Sequence, residues 1–494
     1  LVNLVSKLPK AQRELSFMLN GTTAAGLDAS GFYAKRNDKI GTTVFGSYNH
    51  GTAYDPSHIG LSAIPDFDRY TLNPKLFLYL GNRTTVSLGL NTTYENRIGG
   101  DMQYLKGHGD SIHRYFEKDI TKRFSTQLSV SHRLNEKTSL NCKNSESYYN
   151  RSLQIPDFIF GGRQLSGYSE LNFSYAGAKS FWTGGLNLLT DGFTQNKTDT
   201  AASLDYRQNT WGVFLQNTLH VSDRLTTEAG LRTDHNSLYG TFLLPRLSLL
   251  FKINEHFSSR LGGGMGYVAP NVFTDDAERI QFRNVLPIDP GQSRAEKSYG
   301  GNFDLNYRTR FGSVSLNVNQ LFFYTRINHP LELMPLTDGY YAYLRSPGHL
   351  DTKGMETNLK LSYRHLALYL GYTYTDAVKH EAVREPYPLV PKNRLNNVLM
   401  YEIEDKLRVG LEAYYYSPQV LTDGAAGRPY WLMGFMAEKL WKRFSLFINF
   451  ENLTNVRQTK FGSIYTGTIT HPVFKDIYAP LDGFVMNGGV KLRL

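Results

Sequence analysis

The chain has 494 residues, a net charge of +10, a hydrophobic fraction of 41% and a mean hydropathy of −0.38. No run of 18 apolar residues occurs, which excludes a transmembrane helix. Cys142 stands alone, which excludes an intrachain disulfide. The 33 Tyr, 29 Phe and 44 Gly suit alternating strands with one polar face. The positive charge is dispersed, and no Lys/Arg stripe of the nucleic-acid-binding kind forms.

Leu1 is not an initiator methionine, so the sequence is expected to start downstream of the true N-terminus. From there the chain reads as a series of alternating segments joined by two kinds of connection. Short polar turns include Gly81-Asn82-Arg83, Asn135-Glu136-Lys137, Ser222-Asp223-Arg224 and Glu404-Asp405-Lys406. Longer connections, rich in Gly, Pro, Asp and aromatics, include 51–67, 98–111, 191–202, 269–292, 328–338, 378–390, 417–427 and 459–480. Short and long alternate, as tight inner turns and long outer loops do in outer-membrane barrels.

The strands carry a period of two. Val86, Leu88 and Leu90 oppose Ser87, Gly89 and Asn91. Leu366, Leu368 and Leu370 oppose Ala367, Tyr369 and Gly371. Phe444, Leu446 and Ile448 oppose Ser445, Phe447 and Asn449. At the C-terminus Phe484, Met486, Val490 and Leu492 share a face, against Asn487, Lys491 and Arg493. The greasy faces are expected to meet lipid, with Asn449, Glu451, Lys491 and Arg493 turned to a wet lumen. The fold class is therefore all-β: a closed transmembrane antiparallel barrel of about 22 strands, its last strand pairing with one that begins near Arg13. The even count takes Tyr340 to Arg364 as one long bent strand across Pro347-Gly348. No helical segment is expected.

Five short motifs then fall in order. Leu1 to Lys7 reads as a strand end. Gly266-Tyr267-Val268-Ala269-Pro270 enters a long loop. Gly354-Met355-Glu356 lies midway down a late strand. Glu451-Asn452-Leu453-Thr454-Asn455 lies at a strand top, and Gly483 to Leu494 closes the chain. In this order and spacing they resemble the TonB-dependent outer-membrane receptors over nearly the whole chain. Two positions depart from that family's pattern: Val268 stands where the family has Arg, and the chain ends on Leu494 rather than an aromatic. The resemblance divides the chain into residues 1–10, the end of a plug domain and its linker, and 11–494, the barrel. It implies uptake of a small scarce solute, foremost a ferric chelate of the siderophore type. The alternatives are a cobalamin receptor or a passive porin-type barrel, although porins have fewer strands. It also implies the outer membrane of a Gram-negative bacterium. The implied partners are the TonB complex acting through the plug, outer-membrane lipid and lipopolysaccharide, and a surface lipoprotein, with no nucleic acid.

No catalytic constellation, resident cofactor or metal site is expected. Gly262-Gly263-Gly264 is not followed by a helix, so it reads as small wall residues rather than a phosphate loop. Asp55 with Asp66 and Asp68 offers oxygens for Ca²⁺ but no regular ligand ladder. His50, His58, His108 and His113 read as surface loop residues. The candidate ligand contacts are Tyr54, Asp55, His58, Arg279, Arg283, Tyr340, Tyr341 and Arg345. Their aromatic faces and cations, set in outer loops, suit an anionic, aromatic or oxygen-rich chelate. Residues 269–292 contain no His, which disfavours haem.

Overall fold

The computed structural model describes residues 7–196 and 202–494. Residues 1–6 of the expected plug end and linker at 1–10, and part of the 191–202 connection, lie outside the described residues. The wall of the described structure is a single closed sheet, with small loop hairpins outside it. Each barrel strand pairs antiparallel with its sequence neighbour, from Glu14–Thr22 round to Val485–Arg493. These two end strands pair with each other, Ser16 opposite Arg493 and Thr22 opposite Asn487. The barrel thus has 22 strands and no free edge in the lipid-spanning wall, the condition for a sheet to cross a membrane.

Alternation decides which way each strand faces. Leu361, Leu366, Leu370, Leu399, Leu411, Phe444, Leu446 and Phe484 are exposed on the outer wall. Facing inward, Ser445 donates to Glu438 at 2.8 Å, Lys491 reaches the same carboxylate at 3.2 Å, and Asn487 bonds both Asn449 and Glu451. A second inward ladder links Ser131, Asn141, Asn172 and Glu170 across neighbouring strands. The lumen wall is therefore polar and largely self-satisfied.

Three features differ from the sequence expectation. Tyr340 to Arg364 is not one bent strand. Tyr341–Arg345 pairs with Leu331–Pro335 as a separate loop hairpin, and the barrel strand starts at His349. The even count survives because that hairpin lies outside the wall. Outer connections are not all long: 23–26, 156–157 and 237–239 are tight turns. Asp157 adopts a φ of 65°, and Asn236 accepts from the backbone amides of Leu238 and Tyr239. Two short helices, Met102–Leu105 and Asp275–Arg279, form within loops, each capped by the residue before it, Asp101 and Thr274.

Gly354 has the close approach expected of a strand glycine. A Cβ there would run into the Tyr374 carbonyl and, at 2.6 Å, the Phe323 ring. Asn452 and Asn455 finish their strand, both at φ 49°. Asn452 accepts from the Val456 amide at 2.9 Å, and Asn455 accepts from that of Phe484 at 3.2 Å.

Leu368 lies opposite Leu361 and Leu399 within the outer greasy band. Leu368→Arg should cost about 2–4 kcal/mol at a midplane lipid position. A folding titration into bilayers, read by heat-modifiable gel mobility, checks this; assembly equal to wild type contradicts the assigned face.

Candidate ligand-binding mouth

The outer end of the barrel is organised by the connection 269–295, which folds back over the wall instead of standing in solvent. It enters through Tyr267, stacked on Phe242 at 3.9 Å and bonded to Asp234 at 3.2 Å. Its apolar residues then have a place to go. Phe282 stacks on Phe160 at 4.2 Å, and Phe273 meets Phe193 edge-on at 4.9 Å. Val272, Ala277 and Val285 are buried in the same cluster, with Leu153 from the wall and Tyr343 from the neighbouring hairpin. Tyr343 Oη donates to the Val272 carbonyl at 2.8 Å and contacts Thr274 Oγ1, so the hairpin props the helix start. Burying several aromatic rings in one cluster gives a loop the rigidity that short irregular segments otherwise lack.

Charge fixes the rest. Arg151, pointing inward from the wall, holds Asp119 at 2.7 Å and Glu278 of the loop helix at 2.8 Å. Arg279 donates to Asp476 at 2.7 Å. The other oxygen of Asp476 accepts from the Thr422 amide and hydroxyl, so one buried carboxylate ties three outer connections together. The 452–484 connection reaches across to 52–65, where Arg457 contacts the Pro56 carbonyl and Ser57 meets Thr459 at 2.7 Å. It also reaches 101–115, where Thr470 donates to the Ile112 carbonyl at 2.8 Å.

Between these loops and the wall lies a cavity of about 360 Å³. Apolar Leu61, Ile464, Phe474 and Ile477 line part of it, and Asp55, Arg97, Glu117, Asp119, Arg151 and Glu278 line the rest. Two buried polar atoms on its wall have no protein partner: Arg97 Nε, a donor, and Asp119 Oδ1, an acceptor. Both side chains are otherwise engaged, Arg97 with Glu95 at 2.9 Å and Asp119 with Arg151 at 2.7 Å. Apolar walls with a few converging polar groups are the usual make-up of a small-molecule site.

The sequence candidates divide between the two sides of the mouth. Asp55 lines the cavity, but its carboxylate shapes its own loop by accepting from the Ser57 and Gly60 amides. Tyr54 forms a bridge with Ile64, and His58 is exposed at a φ of 53°. Arg279 is committed to Asp476. Arg283 is exposed, its guanidinium over the Phe158 ring at 5.4 Å. Tyr341 packs against the aromatic cluster, Tyr340 is half-buried at the hairpin turn, and Arg345 is exposed on the hairpin. The Asp55, Asp66 and Asp68 carboxylates do not converge; Asp68 points elsewhere and accepts from Tyr48 at 2.6 Å. Sequence reading missed Arg97, Glu117, Asp119 and Arg151, because strand-top charges look like any lumen-facing residue until the loops close over them.

His113 is more than a loose surface residue. Its ring meets the buried Asp101 carboxylate at 2.8 Å, and this bond holds its pKa above the ordinary value of 6.5. Among the described residues, one group of His and Asp side chains has ligand atoms within 4.8 Å of one another: His349, Asp351 and His380, on barrel strands rather than loops.

A closed 22-stranded antiparallel barrel with an apolar outer band, a polar lumen and a loop-roofed mouth is the form of an outer-membrane receptor. Residues 26–453 match the family described as TonB dependent receptor-like, beta-barrel, and the chain belongs to that family. The chain is 23% identical over 234 residues to the probable TonB-dependent siderophore receptor PirA of Acinetobacter baumannii; the match spans 42% of this chain but only 31% of that protein. Among solved structures, a mutant of the ferric enterobactin receptor PfeA of Pseudomonas aeruginosa superposes with a TM-score of 0.75 at 15% identity, over 99% of this chain and 81% of that one. The siderophore receptor PirA from Acinetobacter baumannii gives the same four figures. The iron transporter FrpB from Neisseria meningitidis gives 0.76 at 12% identity, over 98% and 81%.

Two outcomes test this mouth. Arg151→Ala removes the only ion-pair partner of Glu278 among the described residues, so amides at 275–285 should exchange hydrogen at least about tenfold faster, the change that about 1.4 kcal/mol of lost local stability gives; unchanged protection contradicts the anchoring role. The His113–Asp101 bond is fully present below the ordinary histidine pKa of about 6.5 and is lost as pH rises through the raised value. The His113 ring should therefore titrate above about 6.5 by NMR, and Asp101→Asn should bring the midpoint back down.

Proposed function

We propose that this protein is the barrel of a receptor that takes up a ferric siderophore across the outer membrane of a Gram-negative bacterium. The observation that carries the reading is the mouth: outer loops tied together by an aromatic cluster, with a cavity against the wall lined by apolar Leu61, Ile464, Phe474 and Ile477 and by charged Arg97, Asp119 and Arg151. A chelate rich in aromatic rings and oxygens meets both kinds of surface. The relationship to a protein named as a siderophore receptor supports the same class of cargo.

In this reading residues 1–10 are the end of a plug domain with its linker, and 11–494 the barrel. The chelate is first met by the exposed side chains His58, Arg283 and Arg345, with Tyr340 beside them. Tyr54, Asp55, Arg279 and Tyr341 hold the loops that present them. Arg279 and Asp55 act by positioning, since their charges are already paired or bonded within the loops. Translocation draws on TonB through the plug and on the inner-membrane proton gradient, whereas binding needs neither. The lipid and lipopolysaccharide of the outer leaflet surround the apolar band, and a surface lipoprotein docks at the loop tips. The cargo is a substrate, and no resident cofactor takes part.

Growth on single iron sources tests the reading. Deleting the gene should abolish growth on at least one ferric siderophore and leave growth on cobalamin intact; restoring it with 269–292 shortened should not rescue. Loss on cobalamin alone would replace the iron cargo, and uptake that persists without TonB would remove the receptor reading.

A further inference from the structure

The uptake reading leaves one cluster unused, on the outside of the barrel. Strands Val314–Asn328, His349–Tyr363 and Leu366–His380 are neighbours. On their outer face Phe322, Leu361, Tyr363, Leu366 and Leu370 are exposed. Towards the outer rim the same face turns polar at Lys353 and Asp376, which lie opposite each other in the register. One step further up stand Arg326, Asp351, His349 and His380. These side chains lie above the greasy band, outside the lumen and away from the mouth cavity.

We propose that His349, Asp351 and His380 bind a divalent transition-metal ion of the zinc type. The strand geometry supplies the first argument. His349 and Asp351 are two residues apart on one strand and so share a face, and His380 sits directly opposite His349 on the next. The two imidazoles lie 4.6 Å apart at 11°. Distances supply the second. Asp351 Oδ2 is 3.6 Å from His349 Nε2 and 3.5 Å from His380 Nε2. A tetrahedral zinc with bonds of roughly 2.0–2.1 Å sets its donors about 3.4 Å apart, close to both Asp351–His distances; all three ligand atoms lie within 4.8 Å of one another, and the stacked imidazoles turn to converge on the ion.

The third argument is the tautomer. Arg326 Nη2 approaches His349 Nε2 at 2.8 Å. A guanidinium only donates, so Nε2 must present its lone pair to the centre of the cluster, as a metal ligand does. Arg326 Nη2 also donates to Asp351 Oδ2 at 3.1 Å, while Arg326 Nε donates to Oδ1 at 2.7 Å. The guanidinium thus holds the place of the cation. Metal entry displaces Nη2 and leaves Nε on the outer oxygen, where it orients the carboxylate. Two imidazoles and one carboxylate favour zinc, nickel or copper over calcium or magnesium, which prefer all-oxygen sets. All three side chains are roughly a fifth to a third exposed, so solvent and ions reach them.

Binding has a structural consequence. His349 follows the loop hairpin, and His380 precedes Glu381, which accepts from Ser346 at the hairpin base. A bound ion pins the end of one outer connection and the start of the next to one point.

The test uses the purified full-length protein, stripped of metal, titrated with zinc by calorimetry and with cobalt by visible absorption. The wild type should bind one zinc that His349→Ala and His380→Ala each weaken by at least about 10-fold, the lower bound for losing even an outer-shell partner. Cobalt should give the intense bands of a tetrahedral site, absent from both variants. Heat-modifiable mobility confirms that the variants are folded, and uptake should be unchanged in them. No zinc binding by the wild type, or the same affinity and stoichiometry in both variants, overturns the assignment.

Discussion

Everything in this molecule depends on the pairing of its two ends. Strand Glu14–Thr22 and strand Val485–Arg493 lie more than 460 residues apart in sequence and share one antiparallel ladder. A backbone amide or carbonyl left unpaired in hydrocarbon costs several kcal/mol. A barrel of this size open by one seam would expose a full strand edge on each side, so partial closure has no stable form. The seam is tight because of its small residues. A side chain at Gly489 would collide with the Leu19 carbonyl and, at 2.9 Å, with the Phe447 ring.

Closure has a cost at the inner wall, where side chains from 22 strands point into a shared space. The wall meets it in two ways. Polar side chains bond across strands in rows, as Asn487 does with Asn449 and Glu451. Glycines appear where a large neighbour already fills the layer: Phe323 lies over Gly354, and Asn187 with Asp234 crowds Gly212. The outer wall has a simpler task, and there the alternation of leucines and aromatics against lipid is nearly regular.

The mouth follows a different logic. Loop residues there are held by contacts that no local rule supplies: an aromatic cluster drawn from three connections and the wall, and carboxylates such as Asp476 that serve several loops at once. Relatives with 12–15% identity keep the barrel, with TM-scores of 0.75 and 0.76. Alternation and closure ask only for residue classes in a wall, whereas a roofed mouth asks for particular partners.

The sequence by itself determined the class of fold, the meeting of the two ends and the direction each strand faces. All of these follow from a period of two, which is local and repeated hundreds of times. It also marked Gly354, Asn452 and Asn455, whose conformations are written in their residue types. Tertiary structure alone decided that Tyr341–Arg345 leaves the wall for a loop hairpin, since pairing with Leu331–Pro335 has no signal in the strand itself. It alone brought Arg97, Asp119 and Arg151 to one cavity, turned Arg279 towards Asp476, and set His380 beside His349. Those meetings depend on which strands become neighbours and how far each loop folds back, and both are fixed only once the barrel has closed.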